Sequence, residues 1–172
     1  MKTLFIALRA LLYMTGFILL WGWVALRARV FDSKLGMELP DWTRLPGILL
    51  MFTGAVLALS CAAEFIARGD GTPAPFDAPR KFVAAGPYRF VRNPMYVGGL
   101  MLLAGFGLTV GSVAILFLSL ALFAVIHLFV IFYEEPTLRK NFGATYDEYR
   151  RNVSRWIPHR PRPAAHHESQ EV

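Results

Sequence analysis

The feature that most constrains the fold is an apolar run of 38 residues, 95–132, that contains no lysine, arginine or acidic residue. A helix that crosses a bilayer needs about 20 apolar residues, so this run is too long for one crossing and long enough for two. Gly111 and Ser112 lie near its middle and predict the turn of a tight helical hairpin. Four glycines in its first half would permit close helix packing: Gly98, Gly99, Gly105 and Gly107.

Two further apolar runs, residues 4–26 and 45–67, are also long enough to span a bilayer. A signal peptide is the alternative for the first run. A retained span is favoured, because the run exceeds the usual apolar core and no clear cleavage site follows it. Residues 27–43 are mixed in charge, contain glycine and proline, and predict a loop. The sequence therefore predicts an all-α integral membrane protein with about four transmembrane helices.

Charge indicates how this chain lies in the membrane. The net charge is +6, yet only 17% of residues are charged, and the basic ones flank apolar runs. Anionic lipid headgroups are therefore the expected partners, and nucleic acid is not. Residues 1–9, 68–92 and 139–162 hold 14 of the 18 lysines and arginines, whereas residues 27–44 hold 4. The positive-inside rule then predicts both termini and the 68–92 connection on the cytoplasmic side of a plasma or inner membrane.

The first of two unusual polar segments is residues 86–98, GPYRFVRNPMYVG, which leads into the third span. Asn93 followed by Pro94 predicts a helix cap and a first helical residue. The free N–H groups at such a helix start suit a carboxylate. The alternative is an ordinary interfacial turn whose arginines reach the headgroups.

The second segment is residues 133–136, YEEP, at the predicted cytoplasmic end of the fourth span. Two adjacent carboxylates at a helix C-terminus oppose the helix dipole and repel each other, so a cation is expected nearby. Arg89, Arg92, Arg139 or a cationic ligand would serve, and a solvated acidic end paired with arginine is the alternative. His127 lies two turns before Glu134 on the same helix face, and it would act in catalysis or bond a backbone carbonyl.

The chain after Pro136 predicts a short amphipathic helix at the membrane surface. Its apolar stripe recurs at steps of three or four: Leu138, Phe142, Tyr146, Tyr149 and Val153. The predicted organisation is two N-terminal spans with their loop (1–67), a core of cytoplasmic loop, hairpin and C-terminal helix (68–160), and a disordered tail (161–172). The single cysteine, Cys61, excludes an internal disulfide, and no metal site is predicted.

These segments resemble the isoprenylcysteine carboxyl methyltransferase family and the related membrane phospholipid methyltransferases. The family pattern is roughly GPYxxxRHPxYxG, a hydrophobic hairpin, and EExxLxxxFGxxYxxYxxxVxRWIP, and the resemblance covers residues 82–158. This chain reads GPYRFVRNPMYVG and EEPTLRKNFGATYDEYRRNVSRWIP in the same order and spacing. It departs from the pattern at Asn93, where the family often has histidine. Asparagine can hold a ligand by hydrogen bonds but cannot carry a proton at neutral pH.

The resemblance implies a cytoplasmic pocket for S-adenosyl-L-methionine. It implies that the loop and the C-terminal half would contact this cofactor through Gly86, Pro87, Tyr88, Asn93, Tyr96, Glu134, Glu135, Arg155 and Trp156.

The methyl acceptor would be a lipid or prenylated small molecule, entering from the bilayer between the third and fourth spans. A carboxylate acceptor, as in isoprenylcysteine, needs a cation, for which Arg92 is the first candidate and Arg89 the second. An amine acceptor, as in a phospholipid amine N-methyltransferase, needs a base such as Glu134 or His127. The remaining alternatives are an NADPH enzyme similar to the sterol reductases and a non-catalytic membrane binding protein.

Overall fold

The computed structural model of the protein describes residues 2–69 and 83–158, with side chains from residue 5 to 67 and from 83 to 158. Three helical segments in these ranges are long and apolar enough to cross a membrane: Phe5–Leu35, Asp41–Ala67 and Val113–Asn152. A shorter apolar helix, Pro94–Thr109, accompanies them. The predicted all-α membrane fold is therefore confirmed. The described residues form α1 (Lys2–Ala28), α2 (Asp32–Leu35), α3 (Arg44–Glu64), α4 (Pro94–Thr109), α5 (Val113–Phe129) and α6 (Glu135–Asn152).

The closest helix pair is α3 with α4, and two pairs of glycines allow the approach. A Cβ atom on Gly54 would lie 2.7 Å from the Gly98 carbonyl oxygen, and one on Gly47 would lie 2.7 Å from the Gly105 carbonyl oxygen. In each helix the two glycines are seven residues apart, or two turns, so they repeat on one face. The prediction of close packing is thus confirmed for Gly98 and Gly105, and for Gly107, where a Cβ atom would lie 3.1 Å from Ile115 Cγ2 of α5. It is wrong for Gly99, where a Cβ atom would meet nothing within 4 Å.

The hairpin between α4 and α5 turns where the sequence predicted. Gly111 has φ +69, a left-handed conformation that favours glycine, and the Ser112 Oγ accepts a hydrogen bond from the Ile115 amide at the start of α5. Residues 27–43 were predicted as a loop, but they contain α2 and two short 3₁₀ turns. Asp32, the first residue of α2, accepts a hydrogen bond on Oδ1 from the Ala114 N–H at 2.8 Å and so caps α5.

A π-helical turn, Val130–Glu134, joins α5 to α6 without a break. The prediction that the two glutamates lie at a helix C-terminus is therefore wrong. Pro136 supplies no N–H for the Phe132 carbonyl, and its ring would collide with that carbonyl in a regular α-helix. Widening by one residue relieves the collision, and the Glu135 N–H bonds to the Val130 carbonyl instead.

The helix α6 is amphipathic as predicted, with Tyr146 buried on its inner face. It bends at Gly143, whose φ of 53 and ψ of −127 lie outside the helical region. This bend redirects the second half of α6, and the chain after Asn152 then returns towards the start of α4. Residues 70–82 and the predicted tail from residue 161 lie outside the described residues.

Candidate active site

The site is held together by a backbone contact between the segment before α4 and the segment after α6. Val91 and Ser154 form a short parallel β-bridge, and the Arg92 N–H donates to the Ser154 carbonyl oxygen at 2.8 Å. The Asn93 side chain donates from Nδ2 to the Arg155 carbonyl oxygen at 3.2 Å. Asn93 occupies the predicted cap position, but its side chain makes no capping bond, and its amide nitrogen donates across the site. Residues 153–156 are thereby fixed beside the start of α4.

The turn before α4 is shaped by Gly86, Pro87 and Tyr88, which begin a 3₁₀ turn. Gly86 has φ +56, and a Cβ atom there would lie 2.7 Å from Glu64 Oε1, so no other residue fits without rearrangement. The Tyr88 ring is buried edge-on against Phe65, with ring centroids 5.3 Å apart. Burial raises the pKa of the Tyr88 hydroxyl well above its usual value. The Tyr88 side chain is therefore uncharged, and its packing supports the conformation of the turn.

Glu135 is the electrostatic centre of the site. Arg155 binds it with both arms of its guanidinium, Nε to Oε1 at 2.6 Å and Nη2 to Oε2 at 3.0 Å. Arg92 Nη1 contacts the same Oε1 at 3.1 Å, and the side chains of Arg92 and Glu135 are each only 10% exposed. The hydrogen bonds that Arg155 donates to Glu135 raise the pKa of Arg155. The buried cluster of two arginines and one carboxylate thus carries one surplus positive charge.

The neighbouring glutamate has a different partner. Glu134 Oε2 accepts a hydrogen bond from the Tyr96 hydroxyl at 2.8 Å, which joins the π-turn to the first turn of α4. The two carboxylates that are adjacent in sequence are therefore bound to separate groups, one to a neutral phenol and one to two cations. Arg139, one of the predicted cations, instead pairs with Asp147 at 3.2 Å.

The C-terminal edge of the site is an aromatic cluster of Phe123, His127 and Trp156. The Trp156 indole N–H donates to His127 Nδ1 at 2.9 Å. The Trp156 ring meets Phe123 edge-on, with centroids 5.2 Å apart. His127 thus binds a side chain from the C-terminal segment. This contact differs from both predicted roles, which were catalysis and a hydrogen bond to a backbone carbonyl.

Most of the predicted site residues lie at one end of the helices, but they do not all contact one another. Arg92, Asn93, Glu135 and Arg155 form one connected cluster, and Tyr96 with Glu134 lies beside it. Arg89 is exposed and has no ion pair within the described residues.

Four side chains at this site were not predicted from the sequence. Glu64 lies against Gly86, and Phe123 packs against the Trp156 ring. Tyr146 accepts a hydrogen bond from Arg92, and Tyr149 donates one to the Tyr88 carbonyl oxygen. Tyr146 and Tyr149 belonged to the predicted apolar stripe, and their hydroxyl groups were the available signal.

Comparison with known proteins agrees with this arrangement. A family model described as phospholipid methyltransferase matches residues 42–145, which is more than half of the chain and includes α3, α4, α5 and the start of α6. No curated protein matches the chain. The matched range contains the turn before α4, both glutamates and their helical connection. The chain therefore belongs to the phospholipid methyltransferase family of membrane proteins.

Proposed function

We propose that the protein transfers a methyl group from S-adenosyl-L-methionine to a lipophilic acceptor at the cytoplasmic face of the membrane. The proposed acceptor group is a carboxylate of an isoprenylcysteine-like lipid. The observation that carries the proposal is the buried cluster of Arg92, Glu135 and Arg155 in a chain of this family. The bias of lysine and arginine towards this end of the helices supports its cytoplasmic side.

The polar groups present fit a donor that carries an ammonium, a carboxylate and a ribose diol. Arg92 Nε is buried and has no hydrogen-bond partner among the described residues, so it is available to a carboxylate oxygen. Glu134 is an acceptor for an ammonium or a hydroxyl, and Tyr96 holds it in place. When bound, S-adenosyl-L-methionine supplies a methyl group that its sulfonium has already activated. The residues of this chain therefore need only position the reactants and stabilise charge.

Surplus positive charge favours a carboxylate acceptor. Such an acceptor is already ionised near neutral pH and needs no base. The net positive charge of the Arg92 cluster would hold it, and exposed Arg89 would attract it from the membrane surface. The Tyr96–Glu134 hydrogen bond connects α4 to the end of α5, so a lipid entering between these helices would pass beside this contact.

An amine acceptor is the second candidate, because the matching family model is described as phospholipid methyltransferase. An amine must lose a proton before or during methyl transfer. Glu134 is the group available to accept that proton, since Glu135 is engaged by two arginines. The two candidates therefore differ in whether Glu134 acts as a base.

A melting comparison in detergent tests the donor. Ligands that bind the folded protein raise its melting temperature. We expect S-adenosylmethionine and S-adenosylhomocysteine to raise it and NADPH to leave it unchanged. A shift with NADPH alone would favour the reductase alternative, and no shift with any ligand would favour the non-catalytic one.

A labelled-methyl assay with membrane lipid extracts tests the acceptor. Methyl esters are hydrolysed by mild base, whereas N-methyl groups are not. We expect mild base to release the label from the lipid fraction as volatile methanol. Label that stays non-volatile after base treatment would reject the carboxylate acceptor and support the amine. In that case Glu134→Gln should lower kcat, whereas with a carboxylate acceptor it should mainly raise the KM for the donor.

A further inference from the structure

The segment after α6, residues 153–156, lies outside any helix and yet carries Arg155, which binds both oxygens of Glu135. Its side-chain contacts include those of Arg155 with Glu135 and of Trp156 with His127 and Phe123. Its backbone carbonyls also accept hydrogen bonds from Asn93 and from the Arg92 N–H. Segments outside helices open locally more readily than helices do. Each contact that holds this segment should therefore affect how often Arg155 is in place.

The contact of Trp156 with α5 is well defined. Its indole N–H reaches His127 Nδ1 at 2.9 Å, and its ring packs edge-on against Phe123. Phe123 and His127 are four residues apart, so they lie one above the other on the same face of α5. The indole packs on this face of α5. Arg155 is the residue next to Trp156 along the chain.

The direction of the hydrogen bond also limits what His127 can do. Nδ1 accepts from the indole, so this nitrogen is not available to take a proton from a substrate. Neither Glu134 nor Glu135 bonds to the imidazole in the described part of the chain, since they bind Tyr96 and the two arginines. The histidine is thus placed to hold a side chain.

We infer that His127 is a positioning residue for the methyl donor: it holds Trp156, which keeps Arg155 on Glu135. The inference rests on the proposed function, because it assigns the Arg155–Glu135 pair to donor binding. It makes a specific chemical requirement at position 127. An acceptor atom is needed where Nδ1 lies, and a titratable group is not.

Two substitutions separate this role from that of a base. His127→Asn keeps an acceptor, since Oδ1 of asparagine lies close to the position of Nδ1 on the shorter side chain. His127→Leu removes it. We expect the KM for S-adenosylmethionine to stay within about twofold of wild type in His127→Asn. In His127→Leu it should rise about five- to tenfold, the equivalent of one neutral hydrogen bond, with little change in kcat.

Trp156→Phe provides an independent variant, because it keeps an aromatic ring and loses the indole N–H. It should match His127→Leu, and the two changes combined should raise KM no further than either alone, as expected for one shared bond. A large loss of kcat in His127→Asn would overturn the inference in favour of a base. Additive effects in the double variant would also overturn it.

Hydrogen exchange of the full-length protein in detergent, without donor or lipid, gives a measurement that does not depend on methyl transfer. The Arg92 amide donates to the Ser154 carbonyl oxygen, so its exchange reports opening of the segment. We expect exchange to be several-fold faster in His127→Leu and nearly unchanged in His127→Asn. Unchanged exchange in both variants would refute the positioning role. Faster exchange in a protein that binds no S-adenosylmethionine would instead refute the proposed function.

Discussion

Removing the charge of Glu135 should destabilise the protein far more than removing the charge of an exposed ion pair. Glu135→Gln leaves Arg92 and Arg155 facing each other without an anion. The Arg92 and Glu135 side chains are 10% exposed and Arg155 is 28% exposed, so water would compensate little of the loss. Removing one partner of a buried pair costs about 3–5 kcal/mol, and the partial exposure of Arg155 places the expected loss near 3 kcal/mol.

The chain offers a matched control in the Arg44–Asp41 pair. Its N–O distance is also 3.1 Å, but its side chains are 68% and 89% exposed. Asp41→Asn should therefore cost between about 0 and 1 kcal/mol. Equilibrium unfolding in mixed micelles, monitored by helix content, measures both losses. A Glu135→Gln loss within about 1 kcal/mol of the control would refute the view that this cluster is electrostatically buried.

A triple variant separates stability from function. Replacing Arg92 and Arg155 with methionine and Glu135 with leucine removes all the buried charges together. Such replacements are often neutral or stabilising, so most of the lost free energy of unfolding should return. Binding of S-adenosylmethionine should not return, because the arginines that would hold its carboxylate are gone. Recovery of both would show that the cluster is structural only.

Three substitutions, with Gly99→Ala as a control, test how the helices are arranged around the site, each by its change in free energy of unfolding. Gly54→Ala should cost about 1–3 kcal/mol, because its Cβ would press on an α4 carbonyl, whereas Gly99→Ala, which meets nothing within 4 Å, should cost nothing. Gly143→Ala should cost about 1–3 kcal/mol through backbone strain alone, since space around it is open. Asp32→Ala should cost about 1 kcal/mol by leaving the second N–H of α5 without its partner. Losses below about 0.3 kcal/mol for Gly54→Ala, Gly143→Ala or Asp32→Ala would contradict the effect expected of that substitution.

The membrane spans and the hairpin turn could be predicted because their signals are local. An uncharged run of known length, with Gly111 and Ser112 at its centre, specifies where two helices end without reference to the rest of the chain. The proximity of the two polar segments also followed from sequence, through the distribution of lysine and arginine. The contact of Arg92 with Glu135 agrees with that expectation.

Partner choice within the site could not be predicted, because it depends on tertiary geometry. The sequence does not distinguish the two adjacent glutamates, yet Glu134 accepts a hydrogen bond from the Tyr96 phenol and Glu135 binds two arginines. The Asn93 amide could cap its own helix or bind across the site, and the returning C-terminal segment decides between them. The π-turn before Pro136 was missed for a related reason. A proline at that position is compatible with a new helix or with a widened, continuous one.

The most direct test of the account is calorimetric titration of the purified protein in detergent with S-adenosylmethionine. We predict saturable binding to wild type, at least tenfold weaker binding to Tyr96→Ala and Glu135→Ala, and unchanged binding to Arg139→Gln, whose exposed pair lies outside the site. Unfolding measured on the same samples shows which variants are folded. Absence of binding to wild type, or equal affinity in the folded site variants and the control, would contradict the claim that these residues hold the methyl donor.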